Sequence, residues 1–434
     1  MNNTSLSSTS PFPCEPARIV VGIDPGLDAH GVAILLAGTC VRLERRMVPN
    51  TIVGMQWLVE RLHHWQESTG CAVTVAMEEA SSFGEALECF LSQAGYVVAV
   101  VSALKVARFK EALGADANDL NDAEAVARLV MVQPDLTRNA TRAVLDQDSQ
   151  GEHHLHLRRL SRRYERWMKE HTAGCNELHA VLRMAWLADY QRFFSHIDGS
   201  AALAFWQKCP TPTEASQAEP EAIAALLKEA SHGRIGQEAS NAKAKDIHAT
   251  ARLMVAALGR RNPNRWSAWA QEIRLLAQHL VHLNANLRRI RKEIQSVLDE
   301  MNSPLPSFKG IGPVIAAAIH GETLSVGRFA TADCFARYNG TAPREDSSGR
   351  SPRFVKNNRC NRRLRQAFLQ LALLAPRLQP ASAAYMQQLA ARGLTGGAAR
   401  VRLARRLSNI VFAMLRDRRP YDMDLYMNRK NAAA

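Results

Sequence analysis

Apolar residues in the first 115 positions form short runs that alternate with amphipathic stretches. The run from Ile19 to Ile23 predicts a buried strand, Pro25-Gly26 predicts a turn, and Gly31 to Leu36 predicts a returning strand. Later runs predict strands over 41–48, 72–77 and 96–101, and helices over 52–65, 83–94 and 104–113. Three adjacent strands followed by strands that alternate with helices predict an α/β sheet with antiparallel and parallel parts.

The apolar pattern changes to long helical spacing after Gln133. One helix is predicted from about 154 to 188, and from Trp266 to Met301 apolar residues recur at alternating intervals of three and four. Such a repeat is typical of a coiled-coil seam. The seam predicts antiparallel packing against helix 154–188, or pairing with a second protomer as the alternative.

These patterns divide the chain into four predicted parts. Residues 1–16 read as a disordered tail, 17–135 as the α/β domain, 150–302 as a helical coiled-coil region with an insertion near 190–260, and 303–434 as a mostly α C-terminal domain. No apolar run approaches eighteen residues and the first residues do not resemble a signal peptide. We therefore expect a cytoplasmic protein without a membrane partner.

Charge is distributed unevenly along the chain. Residues 1–130 carry nine Lys and Arg against 15 Asp and Glu, so this part has a negative net charge. The positive net charge of the remaining residues therefore exceeds the +14 of the whole chain. From Arg350 onward, 18 basic residues face three acidic ones. This bias predicts a nucleic-acid partner, since each neutralised phosphate releases counterions; a basic surface kept for solubility is the alternative.

Eight cysteines are scattered without any C-x-x-C pair. That arrangement argues against a zinc site and against a disulfide framework. We therefore interpret the cysteines as reduced and mostly structural.

Acidic residues at the ends of the predicted elements are the candidate catalytic groups. Asp24 ends the first strand, Glu78-Glu79 ends a later strand, and Asp119 and Asp122 share one face in the first turn of a helix that begins near Asn118. Converging carboxylates repel one another unless a divalent cation neutralises them, so we predict a site for Mg²⁺, with two ions and with Mn²⁺ as an alternative. The structural alternative is that Asp24 is a turn residue and that Asp119 and Asp122 cap a helix.

Two C-terminal motifs are candidates for phosphate contact. Around Phe308-Lys-Gly-Ile-Gly-Pro313, Gly310 and Gly312 would let backbone N–H groups approach a phosphate and Lys309 would add charge, unless the segment is a plain turn. In a later polar loop, Ser348 precedes a glycine among basic residues, and a serine there could attack phosphorus, although Ser-Ser-Gly is also a common turn. The basic candidates are Arg344, Arg350, Arg353, Lys356, Arg359, Arg362 and Arg363.

The acidic motifs together resemble the DEDD transposases of bacterial insertion sequences, which are bridge-RNA-guided recombinases related to the pilin-gene inverting recombinases. Gly22 to His30 resembles the family's opening strand, with its catalytic Asp at Asp24. Glu78 to Gly84 is similar to an acid followed five residues later by an aromatic, which favours Glu78 over Glu79. Asp119 to Ala125 is similar to the D-x-x-D-A pattern, except that Asn118 stands where Lys or Ser-type residues are commoner.

The C-terminal motifs extend this resemblance. Residues 306–318 and 340–349 are similar to the family's transposase domain, in which the nucleophilic serine precedes a glycine; this favours Ser348 over Ser347. The resemblance implies a RuvC-like (ribonuclease H-like) N-terminal domain, a coiled coil and a C-terminal transposase domain. It also implies cutting and rejoining of double-stranded donor and target DNA through a serine-linked intermediate. A structured guide RNA and a dimer or tetramer are implied as partners; nothing carries over to residues 190–260.

Three functions remain open at this stage. The first is a site-specific recombinase in which the four acids bind Mg²⁺ and Ser348 attacks DNA. The second is a metal nuclease of the Holliday-junction-resolvase type, in which water is the nucleophile. The third is a non-catalytic nucleic-acid-binding assembly protein whose acids only cap helices and turns.

Overall fold

The computed structural model describes residues 18–38, 41–79, 83–101, 103–114, 116, 118–134, 149–258, 263–345, 354–355 and 357–422. The chain divides into two compact units, Met1–Glu152 with Leu324–Thr331, and His153–Thr323 with Ala332–Ala434. The predicted tail 1–16 lies outside the described residues. Among the described helices, none is both long enough and apolar enough to cross a bilayer.

The first unit contains the predicted α/β sheet. Its strands are β1 (Arg18–Asp24), β2 (Ala29–Leu36), β3 (Val41–Pro49), β4 (Ala72–Glu78) and β5 (Val98–Val101). Their order is β3-β2-β1-β4-β5. The β1–β2 and β2–β3 pairs are antiparallel, whereas β1–β4 and β4–β5 are parallel. The predicted mixed sheet is thus confirmed.

Helices cover both faces of this sheet. They are α1 (Ile52–Thr69), α2 (Glu85–Gln93), α3 (Ala103–Leu113) and α4 (Asp119–Val132). One face carries large apolar residues, including Ile23 and Met77, which pack in one core with Leu58 of α1 and Leu87 of α2. The opposite face packs against α4. The central strands β1 and β2 therefore have two buried faces, as their near-continuous apolar sequences require, whereas the edge strand β3 is mostly exposed or half-buried.

The face beneath α4 is lined by small residues at its centre. Gly22 of β1 pairs with Ala33 of β2 and with Ala76 of β4, so three neighbouring strands present little side-chain volume. A Cβ at Gly22 would overlap the carbonyl oxygen of Ala123 and would lie 2.9 Å from the Cβ of Ala127. The backbone of α4 thus rests almost directly on the sheet, which fixes the height and direction of the helix.

The second unit is almost entirely helical in the part that the structure describes. It contains two long helices, α5 (Gly151–Trp186) and α11 (Pro263–Glu300). Between them lie α6 (Tyr190–Phe193), α7 (Ser200–Lys208), α8 (Pro212–Gln217), α9 (Pro220–Ala230) and α10 (Gln237–Leu258). The predicted insertion near 190–260 is thus a set of helices, packed around buried Trp186, Phe205 and Trp206.

The long helices α5 and α11 run in opposite directions. His156 Nε2 lies 3.3 Å from Glu293 Oε1, and His279 Nε2 lies 3.3 Å from Glu170 Oε1, so residue numbers rise along α5 as they fall along α11. Most of the predicted seam on α11 is buried, including Ile273, Leu280 and Ile294. Pairing with a second protomer stays a prediction.

The remaining helices form the C-terminal part of the second unit. They are α12 (Pro313–Thr323), α13 (Ala332–Tyr338), α14 (Arg362–Leu378), α15 (Pro380–Ala391) and α16 (Gly396–Asp417). Phe335 of α13 joins them, since its ring centroid lies 5.9 Å from that of Phe368 and 5.7 Å from that of Phe412. Two short strands, β6 (Arg344–Glu345) and β7 (Phe354–Val355), pair antiparallel where the sequence predicted only a loop.

We expect Gly22→Ala to lower the free energy of unfolding by about 3 kcal/mol or more, because the added methyl group meets helix backbone that cannot rotate away. Urea denaturation of both proteins would measure the difference. Gly397→Ala is the matched control, since a Cβ there meets no atom within 4 Å. Equal unfolding free energies for wild type and Gly22→Ala would contradict the close packing of α4.

Candidate metal centre and nucleic-acid surface

Asp24 and Glu78 are the last residues of two adjacent parallel strands. Ile23 of β1 is in register with Met77 of β4, so the next residue on each strand, Asp24 and Glu78, lies at the same edge of the sheet. Alternation along a strand turns both side chains to the face occupied by α4. The sequence prediction that two strands deliver acids to one place agrees with this geometry.

Helix α4 brings Asp119 and Asp122 to the same edge. Asn118 is its N-cap, and the Asn118 side-chain oxygen accepts a hydrogen bond of 2.8 Å from the backbone N–H of Asn121. Gly31, the partner of Asp24 across the β1–β2 pair, leaves room for this first turn. A Cβ at Gly31 would overlap the Asp119 carbonyl oxygen and would lie 2.8 Å from the carbonyl carbon. Glycine at position 31 is therefore needed to seat the acids of α4 over the strand ends.

The four carboxylates affect one another electrostatically. Burial, followed by the negative charges of Asp122 and Asp119, raises the pKa of Asp24 to about 6. Burial, followed by the charges of Asp24 and Asp122, raises the pKa of Glu78 to about 7. Like charges held close together in partly buried positions disfavour ionisation in this way. The acids thus form one cluster with excess negative charge.

Glu78 and Glu79 occupy different positions. Glu78 is half-buried, and its pKa responds to Asp24, whereas Glu79 follows the end of β4 and is exposed. The backbone N–H of Glu79 donates to the carbonyl of Val101 with a length of 2.8 Å. The structure therefore groups Glu78, rather than Glu79, with the other acids.

Lys110 is a member of the cluster that the sequence analysis missed. Its ammonium group forms an ion pair with Asp122, and it opposes the upward pKa shifts of Asp24 and Glu78. Only 14% of the Lys110 side chain is exposed. A lone lysine on a predicted helix has no sequence signal that marks it as the counter-charge of acids on other elements.

Arginines of β3 anchor the opposite side of α4. Glu124, which is 7% exposed, accepts 3.2 Å and 2.7 Å hydrogen bonds from Arg42 and Arg128. Arg45 adds a 3.7 Å contact to Glu124 and a hydrogen bond to Asn121. The contacts from Arg42 and Arg45 hold α4 from the β3 side, so Asp119 and Asp122 are directed toward Asp24 and Glu78.

The donor set fits a hard divalent cation. All four acidic side chains offer carboxylate oxygens, the ligands preferred by Mg²⁺ and by related ions. The raised pKa values of Asp24 and Glu78 indicate that Lys110 alone does not balance the cluster's charge. A divalent ion held by Asp24, Glu78, Asp119 and Asp122 would supply the missing positive charge.

The first C-terminal motif is an exposed turn before a helix. Lys309 and Gly312 are exposed, and Gly310 has a φ of +115°, a conformation that favours glycine. The Gly312 carbonyl accepts a 3.0 Å hydrogen bond from the N–H of Ala316, so Gly312 directly precedes the first turn of α12. This placement agrees with a turn that presents a helix N-terminus to solvent.

The second motif is only partly described. Ser348, Ser347, Arg350, Arg353 and Lys356 lie outside the described residues. Arg344 is in β6 and pairs with Val355 of β7, so these strands flank the undescribed residues 346–353. Arg359 is exposed, and its backbone N–H donates to Asn357 Oδ1 with a length of 3.0 Å.

Two more basic candidates begin α14 and differ in their surroundings. Arg362 is exposed. Arg363 Nε instead donates a 2.8 Å hydrogen bond to Glu165 Oε2 on α5, so part of its charge is compensated within the protein. Arg362 is therefore the better placed of the two to meet an external anion.

Comparisons with known proteins find two matching families. Residues 21–187 match the family of DEDD transposases of the IS110 type, whose description is "Transposase". Residues 302–387 match the Transposase IS116/IS110/IS902 family. The first match includes all four clustered acids, and the second includes the C-terminal turn and Ser348.

Two curated relatives come from Streptomyces. The IS110 uncharacterized 43.6 kDa protein of Streptomyces coelicolor is 36% identical over 146 residues, which cover 33% of this chain and 36% of that protein. The IS116 uncharacterized 44.8 kDa protein of Streptomyces clavuligerus is 31% identical over 147 residues, which cover 33% of this chain and 37% of that protein. The aligned part thus spans little more than a third of each relative.

Two solved structures of Thermus thermophilus RuvC also align with the chain. The first shows 18% identity and a TM-score of 0.20 and covers 26% of this chain and 92% of RuvC. The second is RuvC in complex with a Holliday junction substrate. It shows 16% identity and a TM-score of 0.20, and the alignment covers 26% of this chain and 91% of that RuvC chain. From the two family matches, we conclude that this chain resembles the DEDD transposases of insertion sequences in both its acidic domain and its C-terminal domain.

Proposed function

We propose that this protein is a DNA transposase or recombinase that transfers phosphoryl groups on double-stranded donor and target DNA. The observation that carries the proposal is the convergence of Asp24, Glu78, Asp119 and Asp122 from three elements at one sheet edge. Helix capping alone does not account for Asp24 and Glu78, which end strands and have pKa values raised by burial and, after it, by the acids around them. The two matches to transposase families support the reaction class.

The four acids are proposed to hold Mg²⁺, as two ions, with Mn²⁺ as the alternative. When bound, such ions position a phosphodiester and stabilise charge on the attacking and leaving oxygens. The protein's own contribution is to fix the carboxylates in place. Glu124 and its arginines hold α4 on one side, and Gly22 and Gly31 let it approach the strands on the other.

Ser348 is the proposed nucleophile. Its oxygen would form a bond to phosphorus as the bond from phosphorus to a deoxyribose oxygen breaks; the serine proton departs and the released oxygen gains one. The resemblance around residues 340–349 supports this role, and so does the position of Ser348 between β6 and β7 in a strongly basic region. Arginines near the serine would stabilise charge on the phosphoryl oxygens.

A structured guide RNA and a dimer or tetramer complete the proposal. Both rest on the resemblance to the DEDD transposases. The excess of basic residues after position 350 supports a polyanionic partner in general. Lys309, Gly310, Gly312 and Arg362 are the proposed phosphate contacts among the described residues.

We expect Asp24→Asn to weaken the response to Mg²⁺ strongly. In wild type, Mg²⁺ should raise the melting temperature by neutralising the cluster; in Asp24→Asn the rise should be much smaller, and DNA cleavage should fall by about a hundredfold or more. Thermal unfolding and cleavage of an element-end duplex would measure these effects. Glu60→Gln, which removes an exposed carboxylate from α1 on the other sheet face, should behave as wild type. An unchanged Mg²⁺ response in Asp24→Asn would contradict the metal site.

The same cluster predicts a pH dependence of stability in the presence of EDTA. The folded-state pKa values of Asp24 and Glu78 are about 6 and about 7, above their unfolded values near 4, so the native chain holds more protons in that interval. The unfolding free energy of wild type should therefore fall as pH rises from about 4 to about 7. In Asp24→Asn this decline should be smaller, as urea titrations at several pH values would reveal. A decline of equal size in both proteins would refute the electrostatic coupling.

We expect Ser348→Ala to abolish strand joining and the covalent protein–DNA product. Trapping of the serine-linked species on a denaturing gel, with an oligonucleotide carrying one element end, measures this directly. Ser347→Ala removes a neighbouring hydroxyl and should retain both products. Cleavage that survives in Ser348→Ala would instead support the resolvase-like nuclease, in which water attacks.

A further inference from the structure

A second group of metal-ligating side chains lies in the helical unit, in residues that the proposed function does not use. His171 and Cys175 are four apart on α5, so they share one helix face. Asp198 reaches the same place from the turn that precedes α7. One donor atom from each residue lies within 4.8 Å of the donors of the other two.

The distances among these donors suit one small cation. His171 Nε2 lies 3.5 Å from Asp198 Oδ2 and 4.0 Å from Cys175 Sγ. Tetrahedral Zn²⁺ with bonds of about 2.0–2.3 Å holds its ligand atoms roughly 3.3–3.7 Å apart. The separation of His171 Nε2 and Asp198 Oδ2 falls within this range, and Cys175 Sγ lies just outside it.

The surroundings hold the three donors in place. His171 is 9% exposed. One turn further along α5, Leu280 of α11 packs closely on Gly174, since a Cβ there would lie 3.2 Å from Leu280 Cδ2. The turn that contains Asp198 contacts α11 through Asn284. The side-chain amide of Asn284 donates a 3.1 Å hydrogen bond to the backbone carbonyl oxygen of Asp198. The side chains of His171 and Asp198 thus approach each other from two elements that both contact α11.

We propose that His171, Cys175 and Asp198 bind one Zn²⁺ or a similar borderline-soft transition metal ion. Imidazole nitrogen, thiolate sulfur and carboxylate oxygen are all zinc ligands, and three of them leave a fourth position for water. On binding, the Cys175 thiol loses its proton to solvent as its sulfur bonds to the ion, while His171 binds as neutral imidazole.

This site would serve a structural purpose. Asp198 lies between α6 and α7 and directly precedes α7, whereas His171 and Cys175 belong to the long helix α5. A metal ion bound by all three would fasten the turn before α7 to α5.

Cobalt titration of the full-length protein, freed of metal with a chelator, tests the site. Wild type should bind one equivalent of Co²⁺ with the near-ultraviolet absorption of a thiolate-to-cobalt transition. Cys175→Ser should lose that absorption, and Asp198→Asn should weaken Co²⁺ binding by about tenfold or more. Cys209→Ser removes another thiol from the same unit and should keep the thiolate-to-cobalt absorption. Asp24→Asn should also keep this absorption, because carboxylates give no thiolate transition.

A second measurement guards against misfolded variants. One equivalent of Zn²⁺ should raise the melting temperature of wild type and of Cys209→Ser by more than that of Asp198→Asn, in which the altered side chain is 36% exposed in wild type. Circular dichroism would establish that the variants keep their helices. The proposal is overturned if wild type shows no thiolate transition, or if Cys175→Ser binds Co²⁺ with the same spectrum and affinity.

Discussion

The close packing of α4 on a glycine- and alanine-lined sheet face is the constraint on which the acidic cluster depends. Asp24 and Glu78 are placed by the register of β1 and β4, which hydrogen bonds fix. Asp119 and Asp122 are placed by the height of the helix above those strands, together with the arginine contacts from β3. Since the helix backbone meets Gly22 and Gly31, even one added methyl group there would lift the first turn and separate its acids from the strand ends.

Close packing brings together charges that repel, so the same residues that create the cluster also work against the fold. Burial and mutual repulsion raise the pKa values of Asp24 and Glu78, and Lys110 offsets part of this through its pair with Asp122. On the far side of α4, by contrast, Glu124 is fully compensated by arginines. The helix is thus firmly held at Glu124, whereas Asp24 and Glu78 beside its first turn are electrostatically strained. This asymmetry favours the proposed binding of a cation at the acidic side.

Much of the α/β unit could be predicted from the sequence because its signals are local. The alternation of side chains along β1 and β4 predicts the places of Asp24 and Glu78 to within a residue or two. The helix cap at Asn118 does the same for Asp119. Lys110 could not be predicted, because its role depends on the angle between α3 and α4, which no local pattern encodes. The strands β6 and β7 were missed for a related reason: two-residue strands carry too little periodicity to stand out from a polar loop.

The group His171, Cys175 and Asp198 shows a further limit of sequence reasoning. The absence of C-x-x-C argues against zinc, whereas the proposed site takes two candidate ligands from one helix face at a spacing of four, a pattern that ordinary helices also contain by chance. Only the fold shows that a third donor, 23 positions after Cys175, returns to the same face. The two clusters also differ in chemistry: the acidic group offers hard oxygens alone, whereas the helical group adds nitrogen and sulfur. Because softer ligands favour zinc over magnesium, the two places would select different ions from the same solution, so occupancy of one need not compete with occupancy of the other.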